Sequence, residues 1–157
     1  MLERIDHVNL IVGDMQAMIA FYCGVLGMRL TREATLSGPW IDAVTRLERV
    51  TADVAFLELP DGPALELLCY RGPQRDRPPG LGAPNTPGLR HIAFRVQDIE
   101  RVAAALQAAG APLLSPIQQV PDTQVDYADV RKRLAYCHDP EENLLELCAY
   151  ERAGNRS

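Results

Sequence analysis

The segment that begins at His7 has an apolar residue at every second position, namely Val8, Leu10 and Val12. Because alternate side chains of a strand face opposite sides, this pattern predicts a strand over residues 7–12 with those three residues towards a core. After Asp14 the apolar spacing changes to three and four residues, which is typical of an amphipathic helix capped by that aspartate. The apolar positions of this helix are Met15, Met18, Ile19, Tyr22 and Leu26.

The same pattern recurs later in the chain. Residues 5–15 align with residues 89–99 at a shift of 84, and residues 55–67 align with residues 135–147 at a shift of 80. The second copy has its own helix cap, Asp98, and a helix end at Gly110. A duplication of this kind predicts two copies of one structural unit.

Three strand candidates follow each predicted helix, so each copy has the order βαβββ. They cover residues 28–36, 52–59 and 64–70 in the first copy, and residues 112–120, 131–138 and 144–150 in the second. Residues 71–88 contain five prolines and four glycines, which marks a linker. We therefore predict one α+β domain over residues 1–157, with module one at 1–70, the linker at 71–88, module two at 89–150 and a disordered tail at 151–157.

Composition excludes some classes of partner. The net charge is −5 and no stretch of lysine and arginine could neutralise several phosphates, so we do not expect nucleic acid binding. No apolar run approaches the roughly 20 residues that span a bilayer, and no signal peptide is expected. The four cysteines include no C-x-x-C pair, which favours free thiols in a cytoplasmic protein.

Four ionisable residues fall on the strand faces opposite the predicted helices. They are His7, Glu66, His91 and Glu146, and their direct neighbours are mostly apolar. A carboxylate between leucines in a half-buried strand is costly to leave ionised without a partner. Two imidazoles and two carboxylates can share one divalent cation, such as Zn, Ni, Co, Mn or Fe, with positions left for water or substrate. The repeat supports this ligand set, because each copy runs from a His to a Glu.

The chain resembles the vicinal oxygen chelate superfamily, which includes glyoxalase I, methylmalonyl-CoA epimerase, extradiol dioxygenases and fosfomycin and bleomycin resistance proteins. The resemblance spans residues 5–150 and rests on short motifs. These are Asp6-His7-Val8, the segment 21–28, Leu65-Glu66-Leu67-Leu68, His91-Ile92-Ala93-Phe94, and Asp139-Pro140 followed by Leu145-Glu146-Leu147. It implies a glyoxalase-like fold, in which two tandem βαβββ modules form a half-open eight-stranded sheet around a metal-binding cavity.

A set of two His and two Glu ligands is similar to that of glyoxalase I and methylmalonyl-CoA epimerase, which remove a proton next to a carbonyl. The resemblance therefore implies a metal-dependent isomerase, epimerase or lyase that stabilises an enediolate, with Glu146 and Glu66 as candidate proton carriers. An extradiol-type dioxygenase stays open as an alternative, with His138 as the spare histidine. A metal-free drug-binding protein of the same fold also stays open.

Three further residues are candidate substrate contacts. Arg95 and Asn9 lie on the same strand faces as the predicted ligands, and Arg95 is suited to an anionic group. Trp40 lies in the long connection between two strands and either lines the cavity or packs in the interior. We expect a small-molecule substrate. Members of the superfamily commonly pair two chains, so we also expect a homodimer. The metal site is then built within one chain or across the interface.

Overall fold

The computed structural model describes residues 1–152, and these residues divide into two units between Arg77 and Pro78. Each unit has a four-stranded mixed sheet and a helix that follows its first strand. The predicted α+β class and the repeated βαβββ order are confirmed. None of the helices in the described part of the chain is long and apolar enough to cross a membrane.

The first unit begins with strand β1 (His7–Ile11) and helix α1 (Met15–Ile19), which continues as a π-helical segment (Ala20–Val25). Strand β2 (Arg29–Ser37), helix α2 (Pro39–Thr45), strand β3 (Thr51–Glu58) and strand β4 (Ala64–Gly72) complete it. The strand order is β1-β4-β3-β2, and only β1 and β4 are parallel. The parallel pair brings the first strand beside the last one of the unit.

The second unit repeats this arrangement with strand β5 (His91–Arg95), helix α3 (Ile99–Ala108), strand β6 (Gln118–Gln119), strand β7 (Val130–His138) and strand β8 (Leu144–Arg152). Its strand order is β5-β8-β7-β6, and β5 is parallel to β8. The two sheets therefore place equivalent strands at equivalent positions.

Both predicted helix caps are confirmed. The carboxylate of Asp14 accepts a hydrogen bond from the backbone N–H of Ala17, and that of Asp98 accepts one from Arg101. Each aspartate satisfies an N–H group that the first helical turn leaves without a partner. The helix starts were predictable for this reason.

Three other elements differ from the prediction. The strand predicted over residues 112–120 shortens to β6, since Pro112 and Pro116 cannot donate to a sheet. Helix α2 was not predicted, although Gly38 with a φ of 92° and Pro39 at the first helical position are typical of a helix start. Strand β8 extends to Arg152, so residues 151 and 152 are strand, while the rest of the predicted tail, 153–157, lies outside the described residues.

The predicted alternation of faces is confirmed in β1, where Val8 and Leu10 are more buried than their neighbours. In the first unit, apolar residues of β3 and β4 lie on the strand face that also carries Glu66. Alternate residues of a strand share a face. We call this apolar group the α2 cluster, and it consists of Ile41, Val50, Ala52, Val54 and Leu68, with Leu36, Leu47, Phe56 and Tyr70 packed around it. Ile41 of α2 thus packs with residues of β3 and β4.

Candidate functional site

The first unit brings together His7 and Glu66. Strand β1 runs beside β4, with Asn9 paired to Glu66, so the two side chains meet on one face. His7 Nε2 lies 3.5 Å from Glu66 Oε2, and the Asn9 amide donates a hydrogen bond to the same oxygen at 2.7 Å. On its other side, His7 Nδ1 lies 3.0 Å from an oxygen of Asp6. That contact holds the imidazole with Nε2 towards the carboxylate.

The second unit brings together His91 and Glu146 in the same way. His91 Nε2 lies 3.5 Å from Glu146 Oε2, the same separation as in the first unit. The Glu146 side chain is only 6% exposed, and its other oxygen, Oε1, accepts a hydrogen bond from Lys132 Nζ at 2.7 Å. Aromatic rings flank both histidines at equivalent positions, Phe56 in the first unit and Tyr136 in the second.

The 3.5 Å separation suits two ligands of one metal ion. When Nδ1 of His7 donates to Asp6, Nε2 presents a lone pair to an electron-rich carboxylate oxygen. Metal–ligand bonds of about 2.0–2.2 Å in tetrahedral geometry put two ligand atoms roughly 3.4 Å apart. The donor atoms of each His–Glu pair thus fit a divalent cation.

Within residues 1–152, no group of three or more His, Cys, Asp and Glu side chains is close enough to hold a metal ion. The predicted ligands are brought together in pairs, His7 with Glu66 and His91 with Glu146. The set of four stays a prediction.

The predicted substrate contacts have different surroundings. Arg95 is exposed, and its guanidinium carbon lies 4.9 Å from the centre of the Tyr150 ring. Asn9 contacts Glu66, as described above. Trp40 is 56% exposed on α2, and its neighbour Ile41 is the residue that packs in the α2 cluster.

The remaining histidine, His138, is half-buried at the end of β7. Its Nε2 lies 3.1 Å from the backbone carbonyl oxygen of Gly82, in the segment that precedes β5. This contact links the end of β7 to the segment that precedes β5.

Lys132 is the residue of this site that sequence reasoning missed. Burial alone would lower the pKa of Lys132, but the hydrogen bond and the charge of Glu146 outweigh burial, so its pKa lies above the ordinary value. The ammonium is therefore charged beside Glu146. The repeat held a signal, because a shift of 80 places Lys132 on Ala52 and a charged residue there is unusual in a half-buried strand.

Comparison with known proteins identifies the family of this chain. Residues 4–147 match the model of the glyoxalase/bleomycin resistance protein/dioxygenase superfamily. The uncharacterized protein YaeR of Escherichia coli is 31% identical over 146 residues, which cover 93% of this chain and 95% of that protein.

Solved structures give the same result. A glyoxalase family protein from Bacillus cereus is 28% identical, with a TM-score of 0.81 and coverage of 96% of this chain and 95% of its own. The trypanothione-dependent glyoxalase I of Leishmania major shares the fold at 22% identity and a TM-score of 0.58, over 94% of this chain and 87% of its own. The chain belongs to the glyoxalase/bleomycin resistance protein/dioxygenase superfamily.

Proposed function

We propose that the protein is a metal-dependent isomerase, epimerase or lyase that removes a proton next to a carbonyl of a small, oxygenated, anionic substrate. The observation that carries this proposal is the pair of equivalent His–Glu contacts, each with 3.5 Å between Nε2 and Oε2. In this proposal His7, Glu66, His91 and Glu146 are the ligands of one divalent ion, Zn, Ni, Co, Mn or Fe, within one chain or across a homodimer. Such an ion, when bound, holds substrate oxygens and stabilises the negative charge that develops as the proton leaves.

The two glutamates are the candidates for carrying that proton. The Glu66 side chain is 16% exposed and is held by the neutral amide of Asn9. Glu146 is more buried and is held by the charged Lys132. A carboxylate that takes and returns a proton must reach the substrate, and Glu66 meets this requirement better. Glu146 then serves mainly to bind and orient.

The proposal also assigns roles to three further residues and includes a cellular location. Arg95 would contact an anionic group of the substrate, and Asn9 would position Glu66. Trp40, exposed on α2, would contact substrate only from the surface of the first unit. All four cysteines are free, which is in keeping with a cytoplasmic location.

Proton exchange under argon tests this function. Protein loaded with Zn²⁺ or Ni²⁺ is incubated in D₂O with α-hydroxyaldehydes, α-hydroxyketones and 3-oxo acids, and deuterium incorporation next to the carbonyl is followed by NMR. We expect exchange with at least one substrate, at a rate that Glu66→Gln lowers at least about 100-fold. Glu33→Gln, a change of the same kind at an exposed position of β2, is the control and should leave the rate unchanged.

Two outcomes contradict the proposal. One is the absence of exchange across the whole panel with every metal. The other is substrate turnover that starts only when oxygen is admitted and consumes it, which would favour the dioxygenase alternative.

A further inference from the structure

Two cations of the second unit lie close to one aromatic ring. The guanidinium carbon of Arg95 is 4.9 Å from the centre of the Tyr150 ring, and Nζ of Lys132 is 6.0 Å from the same point. Tyr127 packs edge-on against Tyr150, with ring centres 5.8 Å apart. Three side chains thus lie near the Tyr150 ring.

These residues lie on the strand face of His91 and Glu146. Lys132 pairs with Tyr150 across β7 and β8, and Tyr136 pairs with Glu146 on the same strands. Arg95 is four residues after His91 on β5, an even number, so both side chains leave the same side of the strand. The cations therefore occupy the part of this face that lies beyond the His91–Glu146 pair.

The positive charge of this region is only partly neutralised. Lys132 contacts Glu146 through one of the three N–H donors of its ammonium. In the part of the chain that the structure describes, no carboxylate forms an ion pair with Arg95. Of the two cations near this ring, only Lys132 has an acidic partner, Glu146.

The equivalent region of the first unit has the opposite character. Ala52 stands where the second unit has Lys132, and Ile11 stands where it has Arg95. Ala52 and Leu68 belong to the α2 cluster, on which Ile41 of α2 packs. No helix lies between β6 and β7 to pack on the second unit in this way. The polar region is therefore specific to the second unit.

We propose that Arg95, Lys132 and Tyr150 form an oxyanion subsite that binds a carboxylate or phosphate group of the substrate. Arg95 provides a planar fork of donors stacked on Tyr150, and Lys132 provides a second charge. Arg95 and His91 are separated by roughly 13 Å along the strand, at about 3.3 Å per residue. The bound group is thus one that the substrate carries away from its reacting carbon. This assignment rests on the proposed function for the rest of the substrate, but the anion site itself does not.

Titration of metal-free protein with inorganic phosphate and, separately, with acetate tests the subsite. The protein is stripped with a chelator, and binding is followed through ¹⁵N chemical shifts of the Arg95 side chain and the Tyr150 amide. We expect saturable shifts in the millimolar range, and Arg95→Gln should weaken binding about tenfold. Arg95→Lys, which keeps the charge and loses the fork, should give an intermediate loss.

Arg32→Gln is the matched control. Arg32 also stacks on an aromatic ring, with 4.9 Å between its guanidinium carbon and the centre of Phe56, and it is also exposed. Because it lies in the first unit, its loss should leave phosphate and acetate binding unchanged. Equal weakening by Arg32→Gln would show a general charge effect and overturn the proposal.

The two probes identify the kind of group. Tighter binding of phosphate assigns the subsite to a phosphate ester, and tighter binding of acetate assigns it to a carboxylate. The absence of saturable shifts with both probes overturns the subsite. Since no metal is present, a failed subsite leaves the proposed proton transfer intact and removes only the anion contact of Arg95. A protein that binds phosphate but never catalyses proton exchange retains the subsite and loses the function.

Discussion

The two units use the same strand positions for different purposes. Both keep a His–Glu pair at 3.5 Å, but the positions that follow along the sheet are Ala52, Val54 and Leu68 in the first unit and Lys132, Leu134 and Cys148 in the second. The first set packs in an apolar cluster with α2, and the second set carries a charge. Both units thus keep the His–Glu contact, while the residues around it differ in character.

The partners of the two carboxylates diverged as well. Glu66 is held by a neutral amide from β1, whereas Glu146 is held by an ammonium group from β7. At the corresponding places the other unit has alanine, Ala52 for Lys132 and Ala93 for Asn9. Each unit therefore provides the hydrogen-bond partner of its glutamate from a different strand. The two partners can be removed one at a time by mutation.

Removal of the ammonium partner should have the largest effect. Lys132→Met leaves Glu146, 6% exposed, without its charged partner, and we expect the free energy of unfolding in urea with a chelator to fall by about 3 kcal/mol. Arg133→Met is the control on the same strand, since its ion pairs with Glu100 and Glu151 are more exposed and should cost about 1 kcal/mol or less. A loss no greater than that of the control would contradict a buried ion pair at Glu146.

A buried thiol should give the next effect. Burial raises the pKa of Cys137 from 9.0 to about 11, whereas the equivalent residue of the first unit is Leu57, which does not titrate. The unfolded chain releases this proton near pH 9 and the folded protein only near pH 11, so stability is complete below pH 9 and falls as the pH rises. We expect a loss of roughly 2–3 kcal/mol between these values.

Urea unfolding at several pH values measures this loss. Cys137→Ala should flatten the fall in that range, and Cys23→Ala, at a half-buried position of the first unit, should leave it in place. An unchanged alkaline fall in Cys137→Ala would assign it to other groups, Cys148 first among them, because burial also raises the pKa of that thiol above its ordinary value.

The smallest effect belongs to the amide partner. Asn9→Ala gives the first unit the residue that the second has at this place, and it removes the 2.7 Å hydrogen bond to Glu66. Because this contact is exposed, we expect a loss of about 1 kcal/mol in the free energy of unfolding. Asn9→Asp, which adds a charge beside the carboxylate, should cost more. An unchanged free energy of unfolding in Asn9→Ala would show that the contact contributes nothing.

Local patterns made much of the fold predictable. The alternation in β1 and the caps Asp14 and Asp98 depend on neighbouring residues only, so the chain itself carries the information. Helix α2 was missed because its seven residues show little periodicity, and its stability depends on Ile41 packing against β3 and β4. Strand β6 was overestimated since apolar residues near prolines resemble a strand without being able to pair as one.

The candidate site was predictable in part for the same reason. The repeat pointed to His7, Glu66, His91 and Glu146 because their types recur in register. Lys132 has no charged counterpart, since Ala52 stands at the equivalent position, whereas Tyr150 recurs as Tyr70, which packs on the α2 cluster. The contacts of Lys132 with Glu146 and of Tyr150 with Arg95 join residues of different strands. Such contacts depend on the pairing register of the strands, which cannot be read from the sequence alone.

Metal titration tests whether His7, Glu66, His91 and Glu146 bind one divalent ion. Chelator-treated protein is titrated with Ni²⁺ and Zn²⁺ by calorimetry, together with His7→Ala and His91→Ala and with His138→Ala as the control. We expect one ion per chain, at least about 100-fold weaker binding in both His7→Ala and His91→Ala, and unchanged binding in His138→Ala. Full affinity in either of the first two variants, or no binding to the unaltered protein, would contradict a ligand set drawn from both units.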